Sequence, residues 1–248
     1  MSQTPFVVRN VRFGTMLGQK IDFEDALWVG LADSYCNLPM GGTAEKLGAK
    51  YGVTREEVDQ FALRSQQRWK AANDAGYFKA EMAPVSMTIK KKQIEVSVDE
   101  HPRPQTTIED LKKLPEEAIK KHNLKPLARL YGYTTVGVDP SIMGIGPAPA
   151  IKHLLKLSKK TLNDLELVEI NEAFGAQTLA CVKDLGLDIN KLNVNGGAIA
   201  LGHPLGASGS RITAHIIHEL RRRNASKFAI GAACIGGGQG IALLIEAL

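Results

Sequence analysis

Residues Asn195–Arg211 read NGGAIALGHPLGASGSR, and Cys234–Gly240 read CIGGGQG. Each stretch surrounds one reactive side chain, His203 or Cys234, with glycine and small apolar residues. Glycine lets a backbone adopt positive φ and pass close to other segments, which predicts tight turns around both groups. This applies to Gly196, Gly197, Gly202, Gly206 and Gly209 around His203, and to Gly236, Gly237, Gly238 and Gly240 after Cys234. Backbone N–H groups released by such turns can hold an oxyanion. His203 can donate to the same oxygen or lower the pKa of a thiol, and Cys234 can move a proton. A loop histidine is also a common structural hydrogen-bonder, and a strand-end cysteine a common core filler. A phosphate-binding loop is disfavoured, because neither GxGxxG nor the P-loop pattern is present.

The segments around these turns alternate between strand and helix patterns. PLARLYGYTTVG (126–137) and DLELVEI (164–170) read as strands, the second buried. PAPAIKHLLKLS (147–158) reads as a helix with proline in its first turn. AFGAQTLACVKDLG (173–186) is a helix ended by glycine. SGSRITAHIIHELRRR (208–223) is an amphipathic helix with Ile212, Ile216 and Leu220 on one face. KFAIGAACI and GIALLIEAL are apolar strands joined by the glycine turn. The fold class is therefore α/β, a mixed sheet with helices on its faces. Asn171 follows directly on DLELVEI, His203 precedes a helix, and Cys234 ends a strand. In open α/β sheets sites form outside strand ends and at helix N-termini, so the three are expected at one rim.

The first half differs in character. Residues 1–125 are polar, charged and irregular, and residues 126–248 carry the α/β pattern. The first region holds one strong helix, TREEVDQFALRSQQRWKAANDAGYF (54–78). Thr54 and Glu57 form a capping box, and Val58, Phe61, Ala62, Ser65, Trp69 and Ala72 share one face. Gly76 is the expected stop. MTIKKKQIEVSVDE (87–100) alternates like an edge hairpin.

Composition excludes several classes. The 248 residues are 44% hydrophobic and 23% charged, as in ordinary globular proteins. No apolar run approaches the roughly 20 residues that span a bilayer, so no membrane association is expected. The opening MSQTPFVVRNVRFG has no apolar core of a secretory signal and is no clear transit peptide. The net charge of +5 suits an anionic ligand, but the runs Lys90–Lys92 and Arg221–Arg223 are short and lack an aromatic platform. No nucleic-acid partner is expected. Cys36, Cys181 and Cys234 form neither a metal pattern nor a disulfide framework, which points to a reducing compartment and no metal.

Three segments, VEINEAFGAQ (168–177), NVNGGAIALGHPLGASGSRI (193–212) and CIGGGQG, resemble the C-terminal signatures of the thiolase family, in the same order. GVDPSIMGIGPAPAI (137–151) fits as well, and residues 38–78 resemble the loop domain of that family. The wording is most similar to the mitochondrial branch that acts on 3-ketoacyl-CoA in fatty-acid β-oxidation. The resemblance implies a five-layer fold of two half-domains, here a thiolase C-terminal domain (126–248) and a loop-domain-like region (1–125). It implies an acyl-CoA:acetyl-CoA C-acyltransferase with coenzyme A and acyl-CoA as substrates, no covalent cofactor, and a mitochondrial location. By the same resemblance, His203 activates a nucleophilic cysteine and forms an oxyanion hole with a water held by Asn171, while Cys234 moves the substrate proton. Met40, Met143 and Phe174 match positions that flank the CoA arm or acyl chain, and Arg103 is placed toward the CoA phosphates.

Two departures from the family pattern set further expectations. The half-domain that carries the nucleophile is missing, and Cys36 in DSYCNLPM lacks the glycine-rich surround of that nucleophile. KLPEEAIKKHNLKPLARL (113–130) joins segments that the family separates by a strand and a loop. Impaired catalysis, an exposed apolar patch and a gap or new edge in the sheet are expected. Partnering is expected as a homo-oligomer or with a full-length thiolase subunit. The alternative reading is an inactive remnant that binds CoA or pairs with a subunit.

Overall fold

The computed structural model describes residues 4–89, 92–97, 99, 127–225 and 228–248. Its elements in chain order begin with the short strands β1 (Phe6–Val7) and β2 (Glu24–Asp25), helix α1 (Ala26–Gly30), and the strands β3 (Ala32–Asp33) and β4 (Leu38–Pro39). Helices α2 (Met40–Lys50) and α3 (Arg55–Asp74) follow, then β5 (Val85–Ile89) and β6 (Lys92–Val96). The remainder is β7 (Ala128–Gly137), α4 (Pro147–Ser158), β8 (Leu165–Ile170), α5 (Gly175–Leu185), α6 (Ala198–Leu201), α7 (Ser208–Arg222), β9 (Phe228–Ile235) and β10 (Gln239–Ala247).

The central sheet has the order β7-β10-β9-β8, with β8 and β9 parallel and the other pairs antiparallel. Side-chain alternation along the strands builds a core on each face. On one face, Val168, Ile170, Ile230, Ala232, Ala242 and Leu244 pack with Ile151, Leu154 and Leu155 of α4 and Leu179 and Cys181 of α5. Leu47 of α2 and Phe61 of α3 join this core. On the other face, Leu167, Ala229 and Ile245 pack with Ile216 and Leu220 of α7. A mixed sheet with helices on both faces is the expected α/β layer. The sheet runs without a gap, and β7 forms one edge with Leu130, Tyr131 and Tyr133 exposed.

The remaining sequence expectations meet the structure as follows. The Thr54 capping box forms: Thr54 N–H donates to Glu57 Oε2 at 2.7 Å, and Glu57 N–H donates to Thr54 Oγ1 at 3.2 Å. Gly76 follows the end of α3 at φ +74°. Within the expected hairpin of residues 87–100, β5 and β6 pair antiparallel outside the central sheet, and residues 90, 91, 98 and 100 lie outside the described residues. The glycine expectation needs correction. Gly206, Gly209 and Gly236 have ordinary φ and open space where a Cβ would stand, and Gly209 lies within α7. Positive φ is confined to Gly196, Gly202, Gly237 and Gly238 among the nine. Gly240 serves close approach instead: a Cβ there would lie 1.9 Å from the Gly146 carbonyl oxygen, where β10 crosses the start of α4. Apolar side chains are exposed along the first region, including Phe6, Phe13, Leu17, Phe23, Trp28 and Tyr35.

One buried carboxylate ties α3 to the central domain. Ser65 Oγ donates to Glu172 Oε2 at 2.6 Å, and Ile199 N–H donates to the same oxygen at 3.0 Å. Asn193 Nδ2 donates to Glu172 Oε1 at 2.8 Å, and Gly197 N–H donates to Ser65 Oγ at 3.0 Å. Arg68 reaches across from α3 to the Leu192 carbonyl at 2.6 Å, and Arg64 donates to the Ile189 carbonyl. Burial raises the Glu172 carboxyl above its ordinary range, opposed by these donors. A raised carboxyl pKa means that the folded chain binds more protons than the unfolded one. Its stabilising contribution is complete below about 4.5 and is lost as pH rises through the folded value.

Two outcomes are expected from this packing. Gly240→Ala will lower stability by about 2 kcal/mol or more through backbone overlap, while Gly137→Ala, with open space beside it, will change it little; urea denaturation compares the two. In urea titrations at stepped pH, Glu172→Gln will remove part of the fall in stability as pH rises from about 4.5, and an unchanged slope refutes the assignment.

Candidate active site

The parallel pairing of β8 and β9 sets the geometry of the site. Ile170 is in register with Ala232, and Asn171 N–H donates to the Ala232 carbonyl at 2.9 Å. Asn171 is thus fixed at the C-terminal end of the sheet, one residue short of Cys234 along the neighbouring strand. The side chain of Asn193 holds the same segment by bonding both the N–H and the carbonyl of Ile170 at 2.9 Å. Glu172, next in the chain, accepts from Ile199 and so ties this strand end to the segment leading to His203.

His203 sits between the strand end and α7. Asn171 Nδ2 lies 3.3 Å from His203 Nε2. His203 Nδ1 lies 2.6 Å from Ser208 Oγ, and Ser208 donates that hydroxyl to the Pro204 carbonyl at 3.1 Å. With the Ser208 proton committed to Pro204, Nδ1–H donates to Ser208 and Nε2 keeps its lone pair; the Asn171 amide nitrogen lies nearly equidistant from the two ring nitrogens, 3.4 Å from Nδ1 and 3.3 Å from Nε2. Burial and the nearby Arg211 cation hold the imidazole below its ordinary pKa, so it is neutral at pH 7. Asn171 is fully buried, and its Oδ1 has no hydrogen-bond partner among the described residues. An unpaired buried amide oxygen is costly, and its position beside the imidazole suits a water or a ligand donor.

Cys234 ends β9 at the same end of the sheet, opposite Gly240 of β10. Its thiol is half-buried and free, and desolvation pushes its pKa up to about 11. It therefore carries its proton at neutral pH. By strand alternation it lies on the α4/α5 face, near the fully buried Cys181. No hydrogen bond joins it to His203 among the described residues. The structure thus brings Asn171 and His203 into contact and places Cys234 on the same rim without direct contact.

The other expected site residues come from elements that pack at this rim. Phe174 is 38% exposed, three residues after Asn171, and its ring lies 3.8 Å from where a Cβ on Gly41 would be. Met40, half-buried, opens α2 beside that glycine. Met143 is buried in the 3-10 turn Pro140–Ile145, which Lys46 of α2 ties down by donating to Ser141 Oγ at 2.5 Å. Arg103 lies outside the described residues. Among the described residues no cluster of His, Cys, Asp and Glu is placed to hold a metal ion, and no helix is long and apolar enough to cross a membrane.

Sequence reading missed two features. The β3–β4 turn lies against the Cys234 glycine loop: Asp33 accepts from the backbone N–H groups of Tyr35 and Cys36 at 2.9 and 3.0 Å, and also from that of Gly237. These donors hold its carboxyl below the ordinary range. The second is the pair of Arg211 with Glu169, joined at 2.5 Å. Neither carried a local signal, because each joins residues far apart in sequence.

Comparison with known proteins gives the same architecture. The family model for the thiolase C-terminal domain matches residues 124–247, and that for the N-terminal domain matches residues 1–121. The chain is 57% identical to the human mitochondrial 3-ketoacyl-CoA thiolase over 274 aligned positions, covering 99% of this chain and 69% of that protein. It is 41% identical to an acetyl-CoA acetyltransferase of Allochromatium vinosum, covering 99% of this chain and 70% of that protein. The 274 aligned positions exceed the 248 residues of the chain, so the human relative carries internal residues that this chain lacks. The crystal structure of the human mitochondrial 3-ketoacyl-CoA thiolase superposes with a TM-score of 0.90, covering 100% of this chain and 69% of that one. Its complex with CoA superposes with a TM-score of 0.88, with 68% of that chain covered. By both domain models and by identity across nearly its whole length, the chain belongs to the thiolase family.

Proposed function

We propose that the chain serves mitochondrial fatty-acid β-oxidation as a 3-ketoacyl-CoA thiolase, cleaving a 3-ketoacyl-CoA with CoA as the second substrate. The observation that carries this reading is the buried, unpaired Oδ1 of Asn171 beside the neutral His203, on the rim shared with Cys234. Asn171 holds a water through that oxygen, and the water donates to the thioester oxygen. His203 takes a proton at Nε2 from the attacking thiol, and the resulting Nε2–H strengthens the same oxyanion hole as charge develops. Cys234, protonated up to about pH 11, delivers its proton to the α-carbon of the departing enolate. Met40, Met143 and Phe174 line the path of the acyl chain and the CoA arm. In this reading residues 1–125 act as the loop domain that covers the thioester.

The acyl group itself must be accepted by a thiol other than these groups, since nucleophilic catalysis in two steps needs a dedicated acceptor. Cys36 is not given that role. A second reading, a CoA-binding module that pairs with a full-length thiolase subunit or with its own copy, is favoured by the exposed apolar side chains from Phe6 to Tyr35.

Calorimetry with CoA and thiolysis of acetoacetyl-CoA test both readings. The chain will bind CoA. Turnover by the chain, alone or supplemented with a full-length subunit, will fall about 100-fold or more in His203→Ala and Cys234→Ala, with CoA affinity retained. Its rate will decline below an acid limb under pH 6.5, set by protonation of His203, and hold until the limb of Cys234 near 11. Binding without turnover under either condition supports the second reading. Turnover unaffected by Cys234→Ala overturns the first.

A further inference from the structure

Beneath the contact of Asn171 with His203 lies a second pair of side chains on the same two elements. β8 places Glu169 two residues before Asn171, so strand alternation puts both on the α7 face. α7 places Arg211 three residues after Ser208, one turn along the same helix face. Arg211 Nη1 donates to Glu169 Oε1 at 2.5 Å. Glu169 is fully buried, and the Arg211 side chain is 18% exposed. α7 approaches the sheet closely here because Gly231, in register with Glu169, has no side chain: a Cβ there would lie 2.8 Å from Ile212. Among the described residues, Glu169 Oε2 and Arg211 Nη2 are both buried without a partner, so the pair is held by one strong contact and not by a surrounding network.

Such a pair is a poor source of stability, because taking two charges out of water offsets most of their attraction. Its placement suggests a different use. We propose that the buried Arg211–Glu169 pair is a positioning device for His203, locking the Ser208-bearing turn of α7 onto the strand that carries Asn171 and setting a fixed cation beside the imidazole. Ser208 receives Nδ1–H, so a locked turn fixes the tautomer and leaves the Nε2 lone pair toward the acyl site. The Arg211 charge also opposes protonation of that lone pair before the thiol arrives. Arg211 touches no reacting atom in this scheme and acts through His203. The groups that face or flank the imidazole are Ser208 and Arg211 from α7 and Asn171 at the end of β8, with Glu169 behind it and Glu172 beyond; Cys234 of β9 lies on the opposite face of the sheet at the same end.

The inference rests on the proposed role of His203, but its test needs no turnover. The full chain labelled with 13C and 15N at histidine is titrated by NMR, with the His203 signal assigned by its loss in His203→Gln. The parent chain will show the Nδ1–H tautomer and a midpoint below 6.5. Arg211→Gln will raise the midpoint by about half a pH unit or more, as expected on removing a nearby cation, and will mix the tautomers. It also leaves Glu169 unpaired, so the double variant Arg211→Gln with Glu169→Gln, which keeps no buried charge, provides the same readout if the single variant fails to fold. Glu169→Gln alone will not raise the midpoint, and Arg211→Lys will restore both midpoint and tautomer. A midpoint and tautomer unchanged in the folded double variant overturn the inference, as does Arg211→Lys behaving like the Gln variant. A chain that shows these shifts but no thiolysis supports the inference while counting against the proposed activity.

Discussion

The buried carboxylate of Glu172 is the constraint on which the site depends. It accepts from Ser65 on α3, from Asn193 after β8, and from the backbone of Ile199 ahead of His203. A carboxylate out of water must be surrounded by donors, and these come from α3, more than a hundred residues away in sequence, and from the segment that follows β8. A Cβ on Gly197 would lie within 2.5 Å of the Glu172 carboxyl carbon, so only glycine permits this close approach. The position of the His203 loop is thus set from beneath by polar satisfaction and from the side by the docked helix α3.

From that anchor the chemistry follows by adjacency. Asn171 and Glu172 are consecutive, so fixing one fixes the other at the strand end. The parallel register of β8 with β9 then places Cys234 on the same rim. Desolvation moves His203 down and Cys234 up, leaving the imidazole ready to accept a proton and the thiol ready to give one. Opposite shifts in two groups at one end of the sheet are what the proposed acid–base roles use at neutral pH.

The exposed apolar residues of the first region contrast with this order. Phe13, Leu17 and Trp28 have little to pack against within the described chain, while Leu47, Phe61 and Phe78 of the same region are buried. The difference follows the elements: α2 and α3 dock on the central core, while of the ribbons before them the β3–β4 turn touches the glycine loop after Cys234. This exposed apolar surface is the observation behind the proposed subunit-pairing reading.

Periodicity in the sequence determined the layered α/β class, the boundaries of α3, α4 and α7, and the strands of the central sheet, because burial of one face imposes a period that can be read locally. Glycine-rich surrounds single out His203 and Cys234 as candidates, and Asn171 is singled out by its place directly after the strand DLELVEI and by the family signature. Tertiary structure alone decided which of these meet. The sheet register and the close approach at Gly231 join Arg211 to Glu169 across 42 residues, and the docking of α3 joins Ser65 to Glu172 across 107. Charged and polar side chains carry no periodic signal, and their pairing is set by desolvation, which exists only once the chain has closed around them.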